Sequence, residues 1–151
     1  MGAAVTVQGP YGQFFLRPAR AGQIVMIAGG TGLAPMLSML EHLGNQAGPM
    51  PKVVLLYGAN FAGELFGDER IRQYGDQVSL HQVVVNGDDA WQGATGFVTD
   101  LLNDSLLPEA AATDAYLCGP PPMIDAAREK LTALGVPAAR IFAEKFLPSD
   151  H

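Results

Sequence analysis

The chain has 151 residues, 48% hydrophobic and 16% charged, enough for one packed core and too apolar for a disordered segment. Nine Lys and Arg against fifteen Asp and Glu give a formal charge of −6. With no basic cluster, a nucleic-acid partner is excluded, because such a face must replace phosphate counterions. The lone cysteine, Cys118, cannot form an internal disulfide or found an iron–sulfur or zinc site, and the three histidines are scattered. No metal centre is expected in this chain, and a reducing, cytoplasmic setting is.

The opening Met1-Gly-Ala-Ala-Val-Thr-Val has neither a basic region nor a long apolar stretch, so no secretory signal is read there. From Ala21 to Leu40 no charge occurs, the length of a membrane span, yet Gly22, Gly29, Gly30, Gly32 and Pro35 would break a helix near its middle. The segment reads instead as a buried strand, Ile24 to Ala28, a turn, and a helix opened by Pro35. That helix carries Met36, Leu37, Leu40 and Leu43 on one side and stops near Gly44 to Gly48. A membrane partner is not expected.

A second apolar run, Val53 to Tyr57, leads into a polar helix over about Glu64 to Tyr74, and a third ends in Val83-Val84-Val85. A glycine-bearing loop and a short helix near Val98 to Leu102 follow. The fourth run is Ala115 to Cys118, and behind it Ile124, Ala127, Leu131 and Leu134 recur at steps of three and four, an amphipathic helix stopped by Gly135 and Pro137. Ile141-Phe142-Ala143 closes the set. Strands that are apolar without alternation are buried on both faces, and their alternation with helices makes them parallel. The fold class is α/β: a doubly wound parallel sheet of about five strands with helices on both faces. Ligands of such sheets bind at the carboxyl ends of the strands, so the residues after each run are the candidates.

After the first strand comes Gly29-Gly30-Thr31-Gly32-Leu33-Ala34-Pro35. Its glycines let the backbone approach a phosphate, and the N–H groups of the helix start point at an anion. It is neither the usual dinucleotide fingerprint nor a P-loop, and a strand–helix turn that merely needs glycine explains it equally well. The fourth strand ends in Cys118-Gly119-Pro120-Pro121-Pro122-Met123, a rigid ledge before a helix whose first turn accepts proline. Cys118 suits the underside of a planar ring, or ordinary packing. After the fifth strand, Glu144 could orient a ring substituent or relay a proton and Phe146 could stack, or the two are a solvated charge and a packing aromatic.

Taken together, Gly-Gly-Thr-Gly-Leu-Ala-Pro, Cys-Gly-Pro-Pro-Pro-Met and Glu-Lys-Phe, in this order, resemble the pyridine-nucleotide half of the ferredoxin–NADP reductase superfamily. The likeness is greatest to reductase components of bacterial aromatic-ring dioxygenases of the benzoate and anthranilate type. Gly9-Pro10-Tyr11-Gly12-Gln13-Phe14 is similar to the stretch where that family's flavin barrel hands over to the nucleotide domain. The resemblance implies that residues 1–17 are the last strand and exit of such a barrel and 18–151 the nucleotide-binding domain. It implies that Gly30, Thr31, Gly32, Leu33 and Pro35 cradle the pyrophosphate, and that Cys118 and Gly119 lie against the nicotinamide, with Cys118 near the hydride-bearing carbon. Pro120, Pro121 and Met123 would shape the adjoining pocket, Glu144 would match the acidic residue near hydride transfer, and Phe146 would approach the nicotinamide–flavin junction. Cys118 and Glu144 are thereby the catalytic candidates.

The family's Arg-x-Tyr-Ser-type flavin motif and its four clustered cysteines are absent from this chain. FAD and an iron–sulfur cluster are therefore expected in the full-length protein and outside this chain. The implied partners are the flavin-binding domain of the same protein and an oxygenase or ferredoxin component. The implied function is an NADH-binding domain whose hydride goes to FAD and whose electrons go on to an oxygenase. A non-catalytic NADH-binding regulatory module, or the nucleotide domain of another ferredoxin-reductase-like flavoprotein, is the alternative. The ribose should sit beyond Tyr57, beside Asn60 and Glu64. No Lys or Arg lies between Lys52 and Arg70 to hold a 2′-phosphate, which favours NADH over NADPH unless Arg70 or Arg72 reaches back. Gly32 is expected at a backbone position that excludes a side chain.

Overall fold

Seven consecutive strand residues, Gln23–Gly29, have no exposed position, so β1 must lie at the centre of a sheet covered on both faces. The computed structural model describes residues 23–45, 52–87, 91–103, 105–108 and 110–145. After β1 the elements are α1 (Leu33–Asn45), β2 (Lys52–Phe61), α2 (Asp68–Arg72), β3 (Val78–Asn86), β4 (Ala94–Thr95), β5 (Thr113–Gly119), α3 (Pro121–Leu134) and β6 (Ile141–Lys145). The proposed barrel remnant over residues 1–17, and Phe146, lie outside the described residues.

Every strand pair is parallel, and the order across the sheet is β4-β3-β2-β1-β5-β6. The expected doubly wound sheet is thus present with six strands rather than about five. The extra one, β4, is two exposed residues with no apolar run to announce it. β1 pairs with β2 on one side and β5 on the other, so the chain reverses its winding direction between β1 and β5. Their carboxyl ends form the crevice where such sheets take ligands.

Alternate residues of the central strands feed two cores. Met26, Ala28, Leu55, Tyr57, Tyr116 and Cys118 pack under α1 and α2 with Leu33, Met36, Leu40 and Ile71. Val25, Ile27, Leu56, Ala115 and Leu117 pack under α3 and the 3-10 turn Val98–Leu101 with Ile124, Ala127 and Leu131. Helices on both faces supply the cover that an apolar parallel sheet requires.

Two expected helices begin or end elsewhere. α1 starts at Leu33, so Pro35 is its third residue rather than its first. The cost is nil, because the first four helix N–H groups have no partner inside the helix anyway. The polar helix expected over Glu64 to Tyr74 is split into a 3-10 turn (Ala62–Glu64), the five-residue α2 and a second 3-10 turn (Gly75–Gln77). Gly67 sits at φ +84°, a left-handed conformation that interrupts any continuous helix there. α3 ends as its sequence predicts: Gly135 takes φ +113° and its N–H reaches the Leu131 and Thr132 carbonyls. No helix among the described residues is long and apolar enough to cross a membrane.

Leu117 is fully buried in the α3-side core, whereas Phe97 is 64% exposed. Leu117→Ala should therefore cost about 2–5 kcal/mol, and Phe97→Ala less than about 0.5 kcal/mol, in urea unfolding of the chain. Equal costs for the two variants would contradict the placement of the core.

Candidate dinucleotide site

At the crevice two turns meet. Gly30–Gly32 is a 3-10 turn between β1 and α1, and Pro120 leads from β5 into α3. They touch so closely that a Cβ on Gly32 would overlap the Cys118 carbonyl oxygen. A Cβ on Gly29 would stand 2.6 Å from the Met123 sulfur, and one on Gly119 2.9 Å from the Met123 methyl. Met123 thus fills the space that Gly29 and Gly119 leave open. Gly30 differs from its neighbours: its φ is +57°, it is exposed, and nothing lies within 4 Å of where its Cβ would be. The expectation that Gly32 excludes a side chain is met, but through its contact with the β5 backbone. Gly30 is the glycine whose backbone faces open space.

From Gly30 a groove of about 470 Å³ runs across the ends of β1 and β2, bounded by α3 and the 3-10 turn Val98–Leu101. That size is typical of sites that enclose small ligands. Gly30, Asn60, Glu64, Pro120 and Met123, all expected site residues, line it. Sequence reasoning missed Gly58, Val85, Phe97, Val98, Thr99, Pro122 and Ala126, which line it too. Gly58 carried a signal, since it follows the apolar run Val53 to Tyr57; in the structure a Cβ there would come within 2.9 Å of the Val98 Cβ.

The groove walls are held from behind. The Glu64 carboxylate accepts hydrogen bonds from the Asn60 and Phe61 amides at 3.0 and 3.3 Å, fastening the turn after β2. Asp100 does the same for the Phe97 amide at 2.9 Å. Lys130 of α3 donates to the Thr99 carbonyl at 2.9 Å, tying the 3-10 turn to the helix. Glu64 is the charged residue among those lining the groove. Arg70, which could have reached back, pairs with Glu41 at 3.1 Å, and Arg72 lies 3.8 Å from Asp68.

Not every expected residue reaches the surface. Leu33 and Tyr57 are fully buried in the α1-side core, so their side chains support the crevice from below. Pro35 is half-buried on α1 and Pro121 half-buried at the start of α3, and Thr31 occupies the middle of the 3-10 turn. Cys118 and Glu144 are register partners on β5 and β6, on the face shared with the Tyr116–Phe142 ring contact at 5.2 Å. The Cys118 side chain is fully buried rather than presented as a platform. Burial first, and then the Glu144 carboxylate, push its thiol up to about 12. It is therefore a neutral, soft packing group at physiological pH and no thiolate nucleophile. Burial also raises the carboxyl of the half-buried Glu144 above the usual carboxylate range.

A doubly wound sheet with a glycine turn and a proline ledge interlocked at its switch point defines a dinucleotide-binding domain. A family model of the oxidoreductase NAD-binding domain matches residues 26–129, and the chain belongs to that family. It is 36% identical, over 99% of its length, to the anthranilate 1,2-dioxygenase electron transfer component of Acinetobacter baylyi, of which it covers 44%. It is 36% identical, over 145 residues, to NADH-cytochrome b5 reductase 1 of Lodderomyces elongisporus, an overlap that covers 93% of this chain and 48% of that one. Among solved structures, the ferredoxin reductase of carbazole 1,9a-dioxygenase superposes with a TM-score of 0.74 at 30% identity, over 88% of this chain and 40% of that one. The chain thus spans under half the length of the curated relatives it matches.

Two outcomes test the site. Gly30→Ala should fold, losing only about 1–2 kcal/mol to its left-handed backbone, while Gly32→Val, pressed against the Cys118 carbonyl, should lose more in the same thermal melts. The reverse order would mean that the two glycines have been assigned the wrong constraints. Cys118 should resist iodoacetamide at pH 8 in the folded chain and react once urea exposes it, as followed by intact mass. Rapid native labelling would show an accessible thiol.

Proposed function

We propose that the chain is the NADH-binding domain of a flavin-dependent reductase that feeds electrons to an oxygenase component in the cytoplasm. The observation that carries this reading is the interlock of the Gly30–Gly32 turn with the Cys118-Gly119-Pro120 turn at the head of the groove. The relatives, a dioxygenase electron transfer component, an NADH-cytochrome b5 reductase and a dioxygenase ferredoxin reductase, support the reaction class.

The residues present fit a dinucleotide. The open backbone at Gly30 and the N-terminus of α1 would take the pyrophosphate, where N–H groups and the helix dipole favour an anion. The groove between α3 and the turn after β2 would take the adenosine half, with Asn60 and Glu64 beside the ribose. Gly119 and Glu144, at the ends of β5 and β6, would border the nicotinamide, with the buried Cys118 side chain packed beneath them. A bound coenzyme would supply a hydride to an FAD held by a preceding flavin-binding domain of the same protein. The chain's own residues orient the ring and exclude water. Neutral Cys118 offers small, apolar volume there without a competing charge. Glu144, its carboxyl raised by burial, stands at the strand end, where it can hold a proton or accept a hydrogen bond. An iron–sulfur cluster elsewhere in the protein would pass the electrons on to a ferredoxin or oxygenase component.

Among the described residues lining the groove, a 2′-phosphate would meet Glu64 and no cation, and Arg70 and Arg72 pair with Glu41 and Asp68. Isothermal titration should therefore give tighter binding of NADH than of NADPH, by about tenfold or more for one unpaired charge contact. Tighter NADPH binding would overturn the coenzyme assignment.

A further inference from the structure

Tyr57 is fully buried in the second half of β2, on the α1 side of the sheet, and so does not line the groove. Its hydroxyl nevertheless reaches the turn that does. It donates to the Glu64 main-chain carbonyl at 3.3 Å and accepts from the Phe66 amide at 3.3 Å. The ring meets Phe66 edge-on, with centroids 6.0 Å apart and planes at 87°. The main chain on both sides of Leu65 is therefore pinned by one oxygen that comes up from the core. Glu64 is then fixed twice: its carbonyl by Tyr57, and its carboxylate by the Asn60 and Phe61 amides.

We infer that Tyr57 is a positioning residue for coenzyme selection: its hydroxyl holds the turn after β2 so that the Glu64 carboxylate stands on the groove wall and repels a 2′-phosphate. This rests on the reading of the groove as an NADH site and adds the element that makes it selective. Burial, with the Asp68 and Glu64 charges acting in the same direction, keeps the phenol protonated, so it can both donate and accept. Without the hydroxyl, the turn retains its own Leu65-to-Ala62 bond of 3.1 Å and the hold of the Asn60 and Phe61 amides on the Glu64 carboxylate. Its main chain around Leu65 loses the tie to the buried core, and the carboxylate loses its second anchor. A mobile carboxylate repels a phosphate less sharply than a fixed one, because it can swing into solvent.

The test uses this chain, its Tyr57→Phe and Glu64→Gln variants and the double variant, titrated with NADH and with NADPH. Tyr57→Phe removes one oxygen and keeps the ring, so its melt should stay cooperative; a collapse would make the hydroxyl structural and overturn the inference. The NADH-to-NADPH preference should fall about three- to tenfold in Tyr57→Phe, the scale of one hydrogen bond. Glu64→Gln should also reduce it, and in that background Tyr57→Phe should change the preference no further, since it acts through the charge at position 64. Amide exchange at Phe66 should quicken in Tyr57→Phe and not in Glu64→Gln. An unchanged preference, an equal weakening of both coenzymes, a full additional effect in the double variant, or an unaltered Phe66 amide would each refute the role of Tyr57. A parent chain that binds neither coenzyme, or prefers NADPH, removes the underlying site reading, and the inference with it, before any variant is compared.

Discussion

No side chain fits between Gly32 and the Cys118 carbonyl, and the rest of the site follows from that exclusion. Close approach of the two strand-end turns lets β1 and β5 run in register to Ala28 and Cys118, with α1 departing to one face and α3 to the other. Had either turn carried a Cβ at the contact, the helices would start farther apart and the crevice would widen. Met123 completes the joint with a flexible thioether that adapts to the space left by Gly29 and Gly119. The site is therefore built on backbone contacts within the sheet, which are stiffer than contacts between loops.

Much of this was legible in the sequence because the strands are buried on both faces. Ile24 to Ala28, Val53 to Tyr57 and Ala115 to Cys118 are unbroken apolar runs, and each is a central strand. What escaped had no such signature. β4 is two exposed residues, placed by backbone pairing with Val83 and Val84. The break before α2 depends on one glycine at φ +84°. Within the site, the glycines at the crevice were readable, but which of them faces a ligand was not: only packing separates Gly30 from Gly32. Tyr57 illustrates a pattern that was present and went unused. Val53, Leu55 and Tyr57 alternate onto the α1 side, which buries the tyrosine and turns Gly58 toward the groove.

Electrostatically the crevice combines a neutral floor with an acidic wall. The thiol at the end of β5 stays protonated because water is excluded and a carboxylate stands beside it. Among the described residues, Arg70 pairs with Glu41, Arg72 with Asp68, and Lys130 donates to the Thr99 carbonyl. Anion recognition is left to main-chain N–H groups and the α1 dipole, which attract a phosphate without the mobile charge of a lysine. Such a site discriminates by what it repels as much as by what it attracts.

The shortness of β4 has a consequence for how the molecule meets other chains. An outer strand with many free N–H and C=O groups invites a foreign strand to add to the sheet, the starting point of aggregation. Here two residues cover Val83 and Val84 of β3, and the chain then turns away through Gly96 at φ +126°. Trp91 donates to the Ala94 carbonyl at 2.9 Å, occupying an acceptor that an incoming strand would use. Where β4 stands as the outer strand, it offers too short a ladder for edge-to-edge association, so the carboxyl half of β3 is shielded from a foreign strand.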